Sequence, residues 1–458
     1  MKTRHIAPIL LACLLGSAPM KAQNYDETKV PLYTLPDLLT AEDGTPVTTA
    51  RQWKKQQRPH LLELLATHGY GHTPTQKTDV THEVVYENKQ ALGGRATQQQ
   101  VRFTFSGEGK TIQALLLVYY PNDRKGKVPV FICYNFKGNH STSTDENILY
   151  SPYFEQLPNR QDPILVRGNQ ASRWSIPLII ERGYAVATMC YHDIYPDHKD
   201  GESQSVLTLF PKDTYGKPDS WQALGAWAWG SSRIADWIER QPWADKKKLA
   251  VMGHSRQGKA ALWAGAQDER FQVVISNNSG CGGAALSRRE FGETVAKINS
   301  SFPHWFCRNF SSYGKRVNDL PFDQHTLLAM MAPRHVYVAS AKEDTWADPR
   351  GEFLATFQLG PVYELFGMKG LPSPIMPDIH RPVMTDAGYH IRAGKHDVTE
   401  YDWARYMDFC DKVFGRKKNR KTIKNEQREG CTQPSRCLYI TLFHSLPIPF
   451  PSPAEAAS

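Results

Sequence analysis

The sequence lacks the marks of several protein classes. Only eight of its 458 residues are cysteines, and no two of them form a Cys-x-x-Cys pair, which argues against a structural zinc site. Beyond the amino terminus no apolar run approaches the roughly 20 residues that a membrane-spanning helix needs. No internal repeat is present. We therefore expect a soluble globular protein without a structural zinc site or a membrane span.

The net charge of +9 lies almost wholly at the two ends of the chain. Residues 1–22 carry three basic residues, and residues 416–458 carry eight Lys or Arg against three Glu. Residues 23–415 are nearly neutral, which argues against a nucleic-acid-binding surface. The tail, residues 416–458, is basic and then proline-rich without a helical or strand period, so we expect it to be disordered and outside the fold.

The amino terminus has the pattern of a secretory signal peptide. A basic start is followed by an apolar run from Ile6 to Leu15 and then by small residues up to Ala22. The run is too short to cross a membrane. We expect residues 1–22 to be removed and the mature protein to be exported, to the periplasm or the medium. The surroundings of Cys13 faintly resemble a lipoprotein cleavage box, which leaves lipid-anchored export as the alternative.

Short apolar runs alternate with helical patterns along residues 23–415. Apolar residues recur at helical spacing from Trp221 to Arg240 and from Gly351 to Phe366. Such alternation predicts one α/β domain with a mostly parallel central sheet and helices on both faces. The runs that we interpret as buried strands are residues 114–120, 128–134, 185–190, 249–252, 273–276, 335–340 and 388–392.

Export permits disulfide bonds, and the cysteines differ in their surroundings. Cys281 and Cys307 fall in one glycine- and aromatic-rich segment, so we expect this pair first if a disulfide forms. Cys133, Cys190 and Cys410 lie in apolar strands or helices. We expect these three to be buried small hydrophobic residues.

The turn around Ser255 is the most informative segment. The predicted strand 249–252 leads into Gly-His-Ser-Arg-Gln-Gly-Lys at 253–259, and a helical pattern follows. In α/β-hydrolases a serine between a strand and a helix, flanked by glycines, is held on a sharp turn as the nucleophile. Gln257 occupies the usual position of the second glycine, and Gly258 follows one place later. The flanking strand and helix favour the nucleophile interpretation of Ser255.

A nucleophilic serine needs a base and a carboxylate that orients the base. In α/β-hydrolases the chain order is Ser, acid, His, each after a strand. Asp344 follows a predicted strand, with Glu343 and Asp348 in the same loop as alternatives. His396 follows the last predicted strand, whereas its alternative His390 lies inside that strand. Order and placement favour Asp344 as the acid and His396 as the base.

The serine segment resembles that of the bacterial glucuronoyl esterases, carbohydrate esterase family 15. The likeness begins at residues 253–271 and continues through residues 279–289, 302–306 and 390–403, so that it covers about residues 50–415. It implies an α/β-hydrolase fold. It also implies an esterase, of the 4-O-methyl-glucuronoyl methylesterase type, for the bond between the glucuronic-acid side chains of xylan and lignin alcohols.

The resemblance also implies site residues. Ser255 is the nucleophile and His396 the base, while Arg256 stabilises the oxyanion through its backbone N–H and its guanidinium. A donor from residues 135–139, just past a predicted strand, completes the oxyanion hole. Neither metal nor cofactor is needed, the partner is the polysaccharide substrate, and we expect a monomer. The residues at positions that grip the uronic acid are Lys259, Glu293 and Trp346.

The chain departs from the family pattern at Asn278. Many members carry the triad acid as a glutamate shortly after the strand that follows the serine helix, where this chain has Asn278. An amide cannot act as an anionic orienter. The acid role therefore falls on Asp344, the position expected for the general fold and used by some members.

Two other functions stay open at this point. A different carbohydrate esterase, such as an acetyl xylan esterase, would share the triad without needing Lys259, Glu293 and Trp346. A sugar-binding protein on an inactive hydrolase scaffold is the second alternative. The intact set of Ser255, Asp344 and His396 argues against the second alternative.

Overall fold

The computed structural model describes residues 23–157, 159 and 161–416. The predicted signal peptide and the predicted tail beyond residue 416 lie outside these residues. The described chain is built on one sheet of ten strands in the order β1-β2-β3-β5-β4-β6-β7-β8-β10-β9. The strands are β1 Asp79–Ala91, β2 Ala96–Gly107, β3 Lys110–Pro121, β4 Val128–Asn135, β5 Ala185–Cys190, β6 Ala244–His254, β7 Phe271–Asn277, β8 His335–Ala341, β9 Val383–Met384 and β10 Ala387–Arg392.

The centre of the sheet is parallel and its edges are antiparallel. Strands β5, β4, β6, β7, β8 and β10 pair in parallel, in that spatial order. At one edge β1, β2 and β3 run antiparallel, and at the other β9 pairs antiparallel with β10. The predicted α/β architecture is confirmed. Strands β1 and β2 were not predicted, because β1 is largely exposed and β2, although mostly buried, carries the polar residues Thr-Gln-Gln-Gln at 97–100 near its start and has no continuous apolar run.

Helices cover both faces of the sheet. Val130 and Ile132 of β4 belong to one core, and Phe131 and Cys133 of the same strand belong to the other, as the alternation of a strand requires. The first core is shared with helices α5, α6 and α9, and the second with α4 and α12. The α-helices are α1 Ala50–Gln52, α2 Arg58–Leu65, α3 Pro152–Glu155, α4 Ile176–Glu181, α5 Ala223–Ile238, α6 Arg256–Gln267, α7 Val295–Ser301, α8 Arg308–Ser311, α9 Gln324–Ala329, α10 Pro349–Gln358, α11 Gly360–Glu364 and α12 Glu400–Val413.

The helix predicted over residues 351–366 is two helices, α10 and α11, which meet at Leu359. Pro361 stands in the first turn of α11, where its missing N–H costs nothing, but inside one long helix it would break a backbone hydrogen bond. The apolar period continues through the break, which is why the sequence pattern does not reveal it.

The predicted Cys281–Cys307 disulfide is wrong. Both are buried free thiols, and the Cys307 sulfur instead lies 3.6 Å from the carbonyl oxygen of Thr67. Burial raises the pKa of the Cys307 thiol to about 11, so it is protonated at neutral pH. Cys133, Cys190 and Cys410 are buried as predicted. In the part of the chain that is described, no helix is long and apolar enough to cross a membrane.

Helix α6 lies unusually close to strand β7, and two glycines permit the approach. A Cβ on Gly258 would lie 2.9 Å from the Cβ of Ser279, just past the end of β7. A Cβ on Gly265, two turns further along, would lie 2.3 Å from Val274 Cγ2 and 2.9 Å from Met331 Sδ. Residues seven apart share one helix face. The helix that begins after Ser255 is therefore seated on the sheet through this glycine face.

We expect Gly265→Ala to destabilise the protein although alanine favours helices. The added methyl group has no space, and overpacking of this kind costs about 1–3 kcal/mol, more than the roughly 1 kcal/mol gained in helix propensity. Thermal and denaturant unfolding measure the difference. The matched control is Gly360→Ala, because a Cβ there meets nothing within 4 Å and the change should not lower stability. Equal or greater stability for Gly265→Ala would contradict the packing argument.

Candidate active site

Ser255 sits on a strained turn between β6 and α6. Its φ is 56° and its ψ is −129°, a conformation that L-residues rarely adopt outside such sites. The Ser255 N–H donates to the carbonyl of Asn277, 2.8 Å away, which holds the turn against β7. A Cβ on Gly253 would lie 1.9 Å from the carbonyl oxygen of Gln257. The two glycines that the turn requires are therefore Gly253 and Gly258, which explains why Gln257 is tolerated between them.

His396 and Asp344 meet beside this turn. His396 Nδ1 lies 2.6 Å from Asp344 Oδ2, and the histidine ring centre lies 4.5 Å from that of His254, the residue before Ser255. Asp344 follows β8 and its side chain is 4% exposed, whereas His396 follows β10 and its side chain is 39% exposed. Parallel strands end at one edge of the sheet, which brings loops distant in sequence together there. This pairing supplies the geometry of a base and its orienting acid.

Asn278 also contacts this pair. Its Nδ2 donates to the same Oδ2 of Asp344, over 2.8 Å. The position at which many family members have a glutamate therefore holds a hydrogen-bond donor to the acid in this chain. Asn278 has a φ of 47°, which asparagine tolerates better than most residues. The amide at this position and the carboxylate at Asp344 are complementary.

The alternative base, His390, is held inside the fold. Its side chain is fully buried in β10, with Nε2 2.9 Å from Asp402 Oδ1 and Nδ1 2.9 Å from the Tyr337 hydroxyl. Burial lowers the pKa of His390 in spite of Asp402. Both ring nitrogens are occupied by protein partners, so this histidine is not available to a substrate.

The alternative acids also have other partners or positions. Asp348 Oδ2 lies 2.8 Å from Arg289 Nε, and its other oxygen accepts the Gly351 N–H over 2.9 Å at the start of α10. Glu343 is exposed. Neither carboxylate is hydrogen-bonded to His396, so Asp344 is the acid that the structure brings to the histidine.

Glu352 is a buried carboxyl group near Asp344 that the sequence analysis missed. It lies within α10, and nothing in its local sequence marks it. Its Oε1 accepts the N–H groups of Ser279 and Gly280 over 2.7 and 3.0 Å, and its Oε2 accepts the Ser340 hydroxyl over 2.6 Å. Burial raises the pKa of Glu352 to about 8. Burial thus favours the protonated form of Glu352, and its hydrogen bonds fix the turn after β7.

Lys259, Glu293 and Trp346 lie together beside the serine turn. The Lys259 ammonium is buried and lies 2.6 Å from the carbonyl oxygens of Ser279 and Cys281 and 3.3 Å from Glu293 Oε2. The Glu293 N–H donates to the carbonyl of Trp346 over 2.9 Å, and the Trp346 side chain is half-buried. Glu293 Oε1 accepts no hydrogen bond from any residue that the structure describes. The three N–H donors of Lys259 are thus engaged, and an acceptor oxygen of Glu293 is free.

Arg256 lies among aromatic rings. Its guanidinium carbon is 4.7 Å from the ring centre of Trp305, 5.3 Å from that of Phe302 and 5.9 Å from that of Phe136. One terminal nitrogen donates to Asp197. The Arg256 Nε is buried and has no hydrogen-bond partner among the residues that the structure describes. Asp197 and Trp305 are site residues that the sequence analysis did not single out, because only the fold brings them to Arg256.

The loop after β4, residues 135–139, also borders the serine turn. Asn135 Nδ2 donates to Asn139 Oδ1 over 2.7 Å, and Asn139 Nδ2 donates to the Leu115 carbonyl over 2.8 Å. The ring centre of Phe136 lies 6.0 Å from that of His254. The side-chain amides hold the loop in place, which leaves its backbone N–H groups as candidate oxyanion donors.

Among residues 23–416 as described, no group of three or more His, Cys, Asp or Glu is placed to hold a metal ion.

The sequence matches known esterases. The family model "Glucuronyl esterase, fungi" matches residues 156–367. A "Carbohydrate esterase MZ0003" of an unknown prokaryotic organism is 45% identical over 396 residues, which cover 85% of this chain and 91% of that protein. A 4-O-methyl-glucuronoyl methylesterase of Schizophyllum commune is 29% identical, with 73% of this chain and 74% of that protein covered.

Solved structures agree with the sequence matches. The glucuronoyl esterase from Solibacter usitatus is 43% identical, with a TM-score of 0.79 over 85% of this chain and all of that chain. A promiscuous CE15 esterase from the marine bacterial metagenome is also 43% identical, with a TM-score of 0.77 over 85% of this chain and 99% of that chain. With its α/β-hydrolase fold and these relatives, the chain belongs to the glucuronoyl esterase family, carbohydrate esterase family 15, and is a carboxylic ester hydrolase.

Proposed function

We propose that the protein is a serine esterase that hydrolyses the ester between the (4-O-methyl-)glucuronic acid side chains of xylan and lignin alcohols. The observation that carries this proposal is the meeting of three groups at one edge of the sheet. These are the serine turn, the His396–Asp344 pair and the cluster of Lys259, Glu293 and Trp346. The first two provide acyl transfer, and the third provides recognition of a sugar acid. The names of the relatives, among them glucuronoyl esterases, support the same substrate class.

The reaction begins with proton transfer from Ser255 to His396. With Nδ1–H donated to Asp344, the other ring nitrogen of His396 is the base, and the Ser255 oxygen attacks the ester carbonyl. The oxyanion that forms is stabilised by the N–H and guanidinium of Arg256 and by a donor from residues 135–139. The protonated His396 then gives its proton to the departing alcohol.

The second half of the reaction releases the acid. Water, deprotonated by His396, attacks the glucuronoyl ester on Ser255, and collapse of the intermediate frees the glucuronate and restores the serine. Asp344 fixes the tautomer of His396 and stabilises the imidazolium formed in both halves. The residues perform acyl transfer with side-chain and backbone groups alone.

Recognition of the uronic acid is assigned to the cluster beside the serine turn. The free Oε1 of Glu293 is an acceptor for a sugar hydroxyl, and Trp346 offers an aromatic plate for a sugar face. Lys259 holds Glu293 and the carbonyls of residues 279 and 281 in place. It meets the substrate directly only by exchanging one of these partners.

A broader carbohydrate esterase activity is the second candidate. The relative with 45% identity is named only as a carbohydrate esterase, and one solved relative is described as promiscuous. An acetyl ester would use the same serine turn and His396 without needing Glu293 or Trp346. Rates on methyl glucuronate and on acetylated xylan, compared for the same preparation, decide which substrate the site favours.

We also propose that residues 23–415 form the single catalytic domain of an exported, monomeric protein. Xylan lies outside bacterial cells, and a polymer substrate favours an enzyme released to the periplasm or the medium. The signal-peptide pattern of residues 1–22 supports this proposal.

We expect Ser255→Ala and His396→Ala each to abolish most hydrolysis of methyl glucuronate while the protein stays folded. Loss of a triad member costs about 10⁴-fold or more in turnover. Initial rates together with thermal unfolding measure both effects. His60→Ala, a surface histidine on α2, is the control and should keep full activity. Substantial turnover by a folded His396→Ala protein would place the base elsewhere.

We expect Asp344→Asn to lower turnover strongly, by about 10⁴-fold, because the imidazolium at His396 loses its counter-charge and its fixed tautomer. Asn278→Glu in that background should restore part of the activity, since it places a carboxylate at the position used by other members. Glu343→Gln, an exposed neighbour, is the control and should be nearly silent. A silent Asp344→Asn protein would refute the acid assignment.

We expect Trp346→Ala to raise the KM for methyl glucuronate by about tenfold, the size of one lost aromatic contact, and to change kcat/KM for an aryl acetate much less. An aryl acetate has no sugar ring that could stack on the Trp346 indole. Trp346→Phe retains an aromatic face and should recover most of the affinity. Equal losses on both substrates would show that Trp346 supports the fold rather than the uronate.

A further inference from the structure

Asp197 collects an unusual number of donors for one carboxylate. It lies in the loop after β5, and its side chain is 2% exposed. Its Oδ2 accepts from Arg256 and from the Tyr191 hydroxyl, the latter over 2.9 Å. Its Oδ1 accepts from Trp305 Nε1 over 2.7 Å and contacts His304 Nε2 at 2.8 Å. Both oxygens are therefore fully used. One of the four partners is Arg256, the residue that follows Ser255, and another, Trp305, packs against Arg256.

The two contacts to Arg256 and Trp305 act on one stacked assembly. The indole of Trp305 stacks on Phe302 with ring centres 3.8 Å apart and an angle of 3°. The guanidinium carbon of Arg256 lies beside this stacked pair, 4.7 Å from the ring centre of Trp305 and 5.3 Å from that of Phe302. Asp197 thus holds the guanidinium of Arg256 by an ion pair and accepts a hydrogen bond from the indole N–H of Trp305. A guanidinium held by a carboxylate on one side and rings on another has little freedom to change rotamer.

This arrangement leaves a specific donor unused. Arg256 Nε is buried without a partner among the described residues, whereas a terminal nitrogen of the same group is bonded to Asp197. A substrate oxygen cannot reach this buried nitrogen, but 27% of the Arg256 side chain is exposed, so the terminal nitrogens are the donors left for an oxyanion. Burial alone would raise the pKa of Asp197, but the hydrogen bond from His304 and the charge of Arg256 hold that pKa well below its usual range. The carboxylate therefore stays charged across the working pH of an esterase.

We infer that Asp197 is the positioning residue that pre-orients the guanidinium of Arg256 toward the oxyanion formed at Ser255. This inference rests on the proposed serine esterase reaction. An arginine free to rotate would have to be ordered at every turnover, and the ion pair orders it beforehand, which is how fixed donors lower a barrier. Asp197 does not touch the substrate, so its effect is transmitted through Arg256.

The test is a double-mutant cycle on Asp197 and Arg256. Arg256→Met should lower kcat by about 10²- to 10³-fold, as the loss of an oxyanion donor does. Asp197→Asn should lower kcat by roughly 10- to 100-fold and leave KM within about threefold, because the defect lies in the transition state. In the Arg256→Met background Asp197→Asn should have no further effect. The inference would be overturned if the decreases in kcat of the two single variants multiply in the double variant. It would also be overturned if Asp197→Asn alone keeps a kcat within twofold of wild type.

A second variant covers the case in which Asp197→Asn does not fold. Asp197→Glu keeps the charge but moves it by one methylene, and it should lower kcat less than Asp197→Asn does in soluble protein, again only when Arg256 is present. An equal effect of Asp197→Glu with and without Arg256 would overturn the inference.

The choice of substrate separates this inference from the proposed function. The cycle is measured on methyl glucuronate and on an aryl acetate, because every ester forms an oxyanion but only one of these carries a uronic acid. If the wild-type protein cleaves the aryl acetate but not methyl glucuronate, the glucuronoyl assignment is wrong. The double-mutant cycle can then still be measured on the aryl acetate. If Ser255→Ala retains activity, the serine mechanism is wrong. The oxyanion that Arg256 is inferred to stabilise, which forms when Ser255 attacks the ester, would then not exist.

Discussion

The close packing of α6 on β7 is the constraint on which the site depends. The strained turn at Ser255 exists because the helix that follows it starts almost in contact with the residues after β7. A side chain at Gly253 or Gly258 would push the helix away and lower the serine toward the sheet. The same approach puts Lys259 within 2.6 Å of the carbonyls of the turn after β7. The geometry of the proposed nucleophile and that of the proposed substrate cluster thus share one steric origin.

The turn after β7 links the separate parts of the site. Asn278 donates to Asp344, while Ser279 offers its carbonyl to Lys259 and its N–H to Glu352. A single short segment therefore contacts both Asp344, the proposed acid, and Lys259 of the proposed substrate cluster. Displacement of this turn would disturb both groups. Glu352 accepts two N–H groups of the turn, so its hydrogen bonds help to keep both groups in place.

The sequence predicted the central sheet and the chemistry along it, for a physical reason. Parallel strands buried on both faces are continuous apolar runs, and the site residues follow them in a fixed chain order. His396 and Asp344 could therefore be placed side by side before the structure, although their catalytic roles remain predictions. Asp197, Trp305 and Glu352 could not, because tertiary packing alone brings them to the site. The Cys281–Cys307 disulfide failed because nearness in sequence does not fix how two thiols pack.

The raised pKa of Glu352 limits the stability of the folded protein at alkaline pH. A carboxyl group whose pKa is raised to about 8 by burial favours the folded state most at low pH, and this contribution is lost as the pH rises from the usual range of a glutamate toward 8. A second negative charge would then arise in a buried position near Asp344. Ester hydrolysis releases a carboxylic acid, so an unbuffered reaction drifts in the direction that keeps Glu352 protonated.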